Sequence, residues 1–218
     1  MSAVLLSASF PSGERGEAVA PYFPADIASA AAAVAEGTLR AGANLVFGGH
    51  PTISPIVLQI SAMLNAGHLV TIYQSEEFRG RITDEVYRLA EVEGANLRFT
   101  PQGDSLEASI DTMRRAMLSL DIRAAFFVGG MSGIADEFSL CGELQPAARL
   151  FLFEDPGGMA AGLVQSMPEN VEPGGLVGEM SSVGSNTWVL GGRAYASLVL
   201  RALQASDLGR PEDNEREL

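Results

Sequence analysis

The sequence is poor in the residues that carry redox, metal and membrane chemistry. Its 218 residues include one cysteine and two histidines, and a lone thiol, Cys141, excludes an intramolecular disulfide framework and any multi-thiolate metal site. Its place on a helix beside Leu140 points to a buried thiol in a reducing compartment. No window offers 18 uninterrupted apolar residues, and the opening Met1-Ser-Ala-Val-Leu-Leu-Ser lacks the basic and long apolar regions of a signal peptide. The expectation is a complete, cytoplasmic chain with no membrane partner. Basic residues are scarce as well: 14 Lys and Arg stand against 27 Asp and Glu, a net charge of −13. That excess repels polyanions, so duplex nucleic acid and anionic membranes are excluded as partners. A small phosphorylated ligand is still compatible, because helix N-termini and backbone amides hold phosphate locally.

Three motifs are missing. Residues 7–16 do not supply the Gly-x-Gly-x-x-Gly that a dinucleotide dehydrogenase places after its first strand, and no phosphate loop ends in Gly-Lys-Ser/Thr. A Gly-x-Ser-x-Gly nucleophile elbow would need a downstream histidine, and none follows His68. Hydride transfer, NTP hydrolysis and Ser-His-Asp chemistry are all weakened. With so few His and Cys, and no carboxylates at ligand spacing, the sequence calls for no metal site and no cofactor. A Mg²⁺ ion carried in by a phosphorylated substrate remains compatible.

What is present is the balance of a globular domain, with 47% apolar and 19% charged side chains. A single domain over 1–206 is expected, followed at 207–218 by an acidic, solvated tail with almost no apolar side chain. Apolar runs rich in β-branched and aromatic residues predict strands at 3–7, 44–47, 69–73, 96–100, 124–128, 150–153 and 187–190. Helical spacing predicts helices at 26–40, 54–66, 82–93, 105–120, 134–145 and 193–204. Strand then helix, repeated, means an α/β, Rossmann-like, doubly wound and mostly parallel sheet with helices on both faces.

Some boundaries have a readable cause. Ser54 before Pro55 reads as a cap and first turn, and Gly67 as that helix's stop. Asp104 with Glu107 reads as a capping-box start for a helix whose Leu106, Ile110, Met113, Met117 and Leu120 recur at helical spacing as core filler. The glycine- and proline-rich stretch 155–186 reads as a long loop interrupted by a helix near 159–166, of a length that often serves as a lid.

In a parallel sheet, ligands bind beyond the carboxyl ends of the strands, so the residues leaving each strand are the candidates. The first strand exits into Ser7-Ala-Ser9-Phe-Pro, the second into Gly48-Gly49-His50-Pro-Thr52-Ile-Ser-Pro, and the third into Gln74-Ser-Glu-Glu. The fifth exits into Gly129-Gly130-Met131-Ser-Gly133-Ile-Ala-Asp-Glu. Glycine pairs that open helices let backbone amides approach an anion, and the helix adds its positive end. His50 either donates to a phosphate or base or caps the next helix. His68, on the opposite edge, reads as structural. Glu137 sits about one turn into the helix after Gly129-Gly130, where it can face a bound sugar, and Asp136 is expected to point elsewhere.

The segments Leu6-Ser-Ala-Ser-Phe-Pro, Phe47-Gly-Gly-His-Pro-Thr-Ile-Ser-Pro, Tyr73-Gln-Ser-Glu and Phe127-Val-Gly-Gly-Met-Ser-Gly-Ile-Ala-Asp-Glu resemble the SLOG superfamily. It comprises Rossmann-like domains related to the Lonely Guy enzymes and to Smf/DprA proteins. The resemblance spans about residues 3–200 and is closest to SLOG cluster 3. It implies a sensor of a nucleotide or nucleotide-derived small molecule, of the type found in bacterial defence systems. It also implies a homodimer or higher homo-oligomer and an effector protein as partner. Ser7, Ser9, Gly48, Gly49, His50, Thr52, Gln74, Gly129, Gly130, Met131 and Gly133 would then bind the ligand.

The alternative it implies is an enzyme. Lonely Guy phosphoribohydrolases release a base from a nucleoside monophosphate, and carry an Arg on the helix before a Pro-Gly-Gly-x-Gly-Thr-x-x-Glu segment. Arg114 or Arg115 and Glu137 match that Arg and Glu and would be the catalytic residues of an N-glycosidase. The chain departs from the pattern at Val128, at the longer Met131-Ser132 step and at Ile134 in place of Thr, which weakens the hydrolase reading.

Overall fold

The computed structural model describes residues 2–167 and 179–208. Most of the acidic tail and the middle of the 155–186 stretch therefore lie outside the described residues. The strands are β1 (Ala3–Ser9), β2 (Asn44–Gly48), β3 (Val70–Ser75), β4 (Asn96–Thr100), β5 (Ile122–Gly129), β6 (Arg149–Phe153), β7 (Glu179–Ser182) and β8 (Thr187–Gly191). The helices are α1 (Gly13–Glu17), α2 (Pro24–Arg40), α3 (Ile53–Met63), α4 (Asp84–Glu93), α5 (Leu106–Met117), α6 (Ser132–Leu144), α7 (Gly158–Gln165) and α8 (Tyr195–Ala205). The strands form one sheet in the order β4-β3-β2-β1-β5-β6-β8-β7. Every pairing is parallel except β7 with β8. This is the α/β, Rossmann-like architecture that the strand–helix alternation predicts.

Alternate residues of the central strands feed two cores. On one face Leu6, Phe47, Phe126 and Phe153 pack against α2, α3, α4 and α8. On the other, Leu5, Val46, Phe127 and Leu152 pack against α5, α6 and α7. Adjacent phenylalanines thus serve opposite faces, because successive strand side chains alternate. Phe126 stacks on Phe151 with ring centroids 5.0 Å apart, and both are fully buried.

Several boundaries differ from the sequence reading. The third helix starts at Ile53 and ends at Met63, and the Ser54 hydroxyl caps the preceding turn instead, accepting from His50 N–H at 3.0 Å. The cap of α5 is Ser105, whose Oγ accepts from Ala108 N–H at 3.1 Å, rather than Asp104. A hydroxyl one residue nearer the helix reaches that amide. Leu106 is exposed, whereas Met117 is buried as expected. The helix expected at 82–93 begins two residues later, as α4 capped by Thr83, and an unpredicted 3-10 turn, Glu76–Arg81, precedes it. Unpredicted are α1 and the antiparallel β7, a four-residue Glu-Met-Ser-Ser strand without enough alternation to show itself.

The sheet order reverses at β1, whose neighbours β2 and β5 lead to opposite edges. The carboxyl ends of β1, β2 and β5 therefore diverge into a crevice at the position where such sheets hold ligands.

Candidate functional site

Two adjoining cavities open at this switch point. One, of about 140 Å³, is lined by the end of β1 (Ser7, Ser9), by Gly48, Gly49 and His50 after β2, and by Gly133 and Glu137 of α6. The other, of about 330 Å³ and mostly apolar, lies beneath the Glu76–Arg81 turn and is walled by Ile72, Phe78, Val86 and Ile110 among others. Gly49, His50 and Met113 line both.

The polar cavity is organised around Glu137. Ser7 Oγ–H donates to its Oε2 at 2.6 Å, and Arg114 Nε donates to its Oε1 at 3.3 Å. Arg114 also donates to Asp136 at 3.1 Å and to the Gly133 carbonyl at 3.2 Å. The guanidinium is thereby committed to the first turn of α6, where it fixes the Glu137 rotamer from behind. Each carboxylate oxygen retains a second lone pair, so Glu137 can still accept from sugar hydroxyls. The side chains of Arg114 and Glu137 are 15% and 16% exposed, which separates them from the solvent-screened Asp136 at 60%.

Arg115, about 100° further round α5, pairs with Asp111 at 2.8 Å in solvent. Of the two arginines, the structure brings only Arg114 to Glu137. Replacing Arg114 with Met leaves Glu137 half-buried without its cation, and should cost about 2 to 3 kcal/mol. In thermal denaturation that is a fall of roughly 5–10 °C. Arg115→Met should melt like the parent; equal losses from both variants would show that the α6 contacts of Arg114 carry no special weight.

The two glycine pairs do different work. Gly49 N–H is bound to Tyr73 O at 2.7 Å and Gly130 N–H to Ser9 O at 2.9 Å, so neither amide stays free to cradle an anion as the sequence suggested. Gly129 and Gly130 both have positive φ, +62° and +69°, and a Cβ on Gly130 would lie 2.1 Å from Ile134 Cγ1. They make a tight turn beneath the site rather than its surface. The hydrolase pattern's Thr position, Ile134, is buried in the core, which closes the space directly above that turn. The amides left over are those of Ser132 and Gly133, the first residues of α6, which have no preceding turn to accept from them.

His50 lies between the cavities. Its Nδ1 accepts from Thr52 N–H at 3.2 Å, so the ring proton resides on Nε2. Burial holds its pKa below the usual histidine value, and the imidazole is neutral at pH 7. Gln74 lines the apolar cavity, where its amide donates to Gly49 O at 3.0 Å and its Oε1 accepts from Ser75 N–H at 3.0 Å. It therefore braces the Gly48-Gly49 turn. Thr52 and Met131 occupy the positions just before α3 and α6, make no side-chain capping hydrogen bond there, and are not among the described residues lining either cavity. Cys141 is buried, and burial with the nearby Glu137 charge pushes its thiol pKa up to about 12. His68 is exposed in the short turn before β3, at the far edge. The sequence missed Phe78, Arg81 and Thr83, whose only signal was their position shortly after the Tyr73-Gln-Ser-Glu exit.

A third cavity, between residues 18–21 and the Asp155-Pro-Gly-Gly turn, is separate from these two. Gly158 N–H binds Pro21 O and Met159 N–H binds Gly130 O, so that turn locks the β1 loop against the Gly129-Gly130 turn. No group of His, Cys, Asp and Glu side chains able to hold a metal ion occurs among the described residues. Nor, among them, is any helix long and apolar enough to cross a membrane.

A family model matches residues 23–177. It describes the SLOG cluster3 family. The chain belongs to this family. The match takes in the Gly-Gly-His-Pro-Thr turn, Arg114, the Gly129-Gly130 turn and Glu137, so the candidate site of this SLOG domain lies mostly inside the matched span, with Ser7 and Ser9 of β1 before it. A search of curated proteins finds no match.

Proposed function

We propose that this SLOG domain binds a nucleotide or nucleotide-derived small molecule in the switch-point crevice and acts as a sensor, in a bacterial defence setting with an effector protein as partner. One observation carries the reading: a small polar cavity with a braced carboxylate and hydroxyls shares a wall with a larger apolar cavity. A nucleotide has the same division, a hydroxylated, charged sugar phosphate joined to a planar, mainly apolar base. The first amides of α6 and Ser7 and Ser9 suit the former, and the chamber under Phe78 the latter.

The test is binding, by native mass spectrometry and calorimetry, of nucleoside monophosphates, dinucleotides and cyclic ADP-ribose-type compounds. Gly49→Val is the informative variant. A Cβ there would meet the movable Gln74 amide at 2.9 Å and Ile72 at 3.4 Å, so the protein should fold with the wall between the cavities thickened. Binding should drop by at least about 30-fold; undiminished affinity in a folded variant would refute the crevice as the site. The domain is read as a homodimer, which sedimentation checks.

Glu137 favours a second reading. A carboxylate fixed by Ser7 and Arg114 at the sugar's position could stabilise an oxocarbenium-like transition state, or activate the water that adds to C1′ as the C1′–N bond breaks and the base leaves with a proton. The chain would then be a phosphoribohydrolase-like N-glycosidase with Glu137 as catalytic residue and Arg114 as the group that positions it.

A further inference from the structure

The large apolar side chains left exposed lie mostly on one side of the sheet, where α2 packs between α3 and α8, and α3 packs on α4. Among the described residues, Met63, Val92 and Leu200 belong to this layer and Phe23 immediately precedes it, whereas only Leu106 belongs to the other. Leu200 of α8 is 55% exposed and borders a groove of about 300 Å³ between α2 and α8, lined also by Ala33, Gly37 and Ala196. A Cβ on Gly37 would lie 2.8 Å from Val199 Cγ1, so the two helices meet closely there. A second hollow shares Ala33, Glu36 and Ala196 with the groove and extends it to the start of α8.

The same surface is electrically neutral. The charged side chains of α2, α3 and α8 are Asp26, Glu36, Arg40 and Arg201, two of each sign. Glu36 pairs with Arg40 at 2.9 Å, and Asp26 with Arg193 at 3.5 Å. The whole chain carries −13, so its repulsive charge lies elsewhere. A basic partner would find nothing here to attract it, whereas two copies of this chain would repel through any acidic surface. A neutral, apolar face is where an equally acidic chain can approach. α2 has 17 residues and is about 25 Å long. With α3 and α8 beside it at the usual 8–10 Å, the face covers roughly 500 Å² in plan and more in accessible area, approaching the about 800 Å² that each partner covers in a standard interface. Resting on the homodimer reading above, we propose that a second copy of this chain docks on the α2–α8 face about a two-fold axis, the Leu200 of each copy entering the groove of the other. No residue of α2 or α8 lines either cavity of the crevice, so the dimer leaves it open.

Sedimentation of the full chain over a concentration series tests this. The parent should sediment as a dimer. Leu200→Glu should raise the dimer dissociation constant at least about 30-fold, because each dimer loses two buried leucines and gains two charges in a closed apolar interface. Leu200→Met should keep the dimer. Leu106→Glu makes the same charge change at the exposed leucine of α5 on the other side of the sheet, and should leave the constant within about twofold. Lowering the salt to about 10 mM lengthens screening to about 30 Å and should weaken the dimer, since the net charges repel while the interface is neutral; tightening there would reveal an interface held by charge pairs and overturn this one. A dimer that survives Leu200→Glu, or that Leu106→Glu disrupts equally, would overturn the α2–α8 interface while leaving the homodimer reading intact. A parent that is monomeric at every concentration would overturn both and leave the face to a different protein.

Discussion

Gly130→Val should be among the most damaging single substitutions in the chain. At φ +69° a β-branched residue is strained, and its Cβ would be 2.1 Å from Ile134 Cγ1 and 2.8 Å from Ser9 Oγ. Left-handed strain costs about 1–3 kcal/mol and overpacking a further 1–3. A loss of at least about 3 kcal/mol, or roughly 6–12 °C in melting temperature, is expected. The turn cannot yield easily, because Gly130 N–H is bound to Ser9 O and its carbonyl to Met159 N–H. A cycle with Ile134→Ala separates the causes: removing the Ile134 branch should relieve the steric part, with a coupling of about 1 kcal/mol or more, and leave the backbone strain. Strict additivity would show that Ile134 is not what forbids a side chain there. Gly130→Val thus probes the fold, and only Gly49→Val probes the crevice.

Glu137→Gln has the largest expected effect on activity if the domain turns a nucleotide over. The amide is close to isosteric: its oxygen can accept from Arg114 in place of Oε1, and its NH2, in place of Oε2, can donate to the Ser7 hydroxyl, so ligand affinity should change little. It cannot offset the positive charge that develops on the sugar, and turnover should fall at least about 10²-fold. The measurement is release of free base followed by chromatography, set beside dissociation constants for parent and variant. Equal turnover in the variant would dismiss Glu137 as the catalytic group, and no base released by the parent from any nucleotide would leave the domain a binder. A fall in affinity equal to the fall in turnover would assign Glu137 to ground-state binding alone.

The sheet was legible because its strands are short apolar runs bounded by glycine and polar exits, and the burial of both faces removes any ambiguity about which way they pack. The candidate cavity was legible in part for the same reason: topology alone sends Ser7, Gly48, Gly49, His50, Gly133 and Glu137 to one edge. The roles of the glycine pairs were not legible. A Gly-Gly step reads equally as an anion cradle or a tight turn, and the choice depends on where its amide hydrogen goes, here to Ser9 O and Tyr73 O. Gln74 likewise looked like a ligand group, but a partner 25 residues away in sequence, Gly49 O, takes its amide.

The order of apolar runs and of the glycine and polar residues between them was enough, by itself, to determine an α/β sheet, and with it a carboxyl edge where the first, second and fifth strands end side by side. Local periodicity and composition carry that information, because burial of apolar faces depends mainly on the pattern along the chain. Which arginine meets Glu137, the pairing of a polar with an apolar cavity, and the bracing of the Gly48-Gly49 turn by Gln74 were decided only in three dimensions. Each is a contact between residues distant in sequence: Arg114 and Arg115 are adjacent, and a rotation of one residue along α5 turns one toward α6 and the other into solvent.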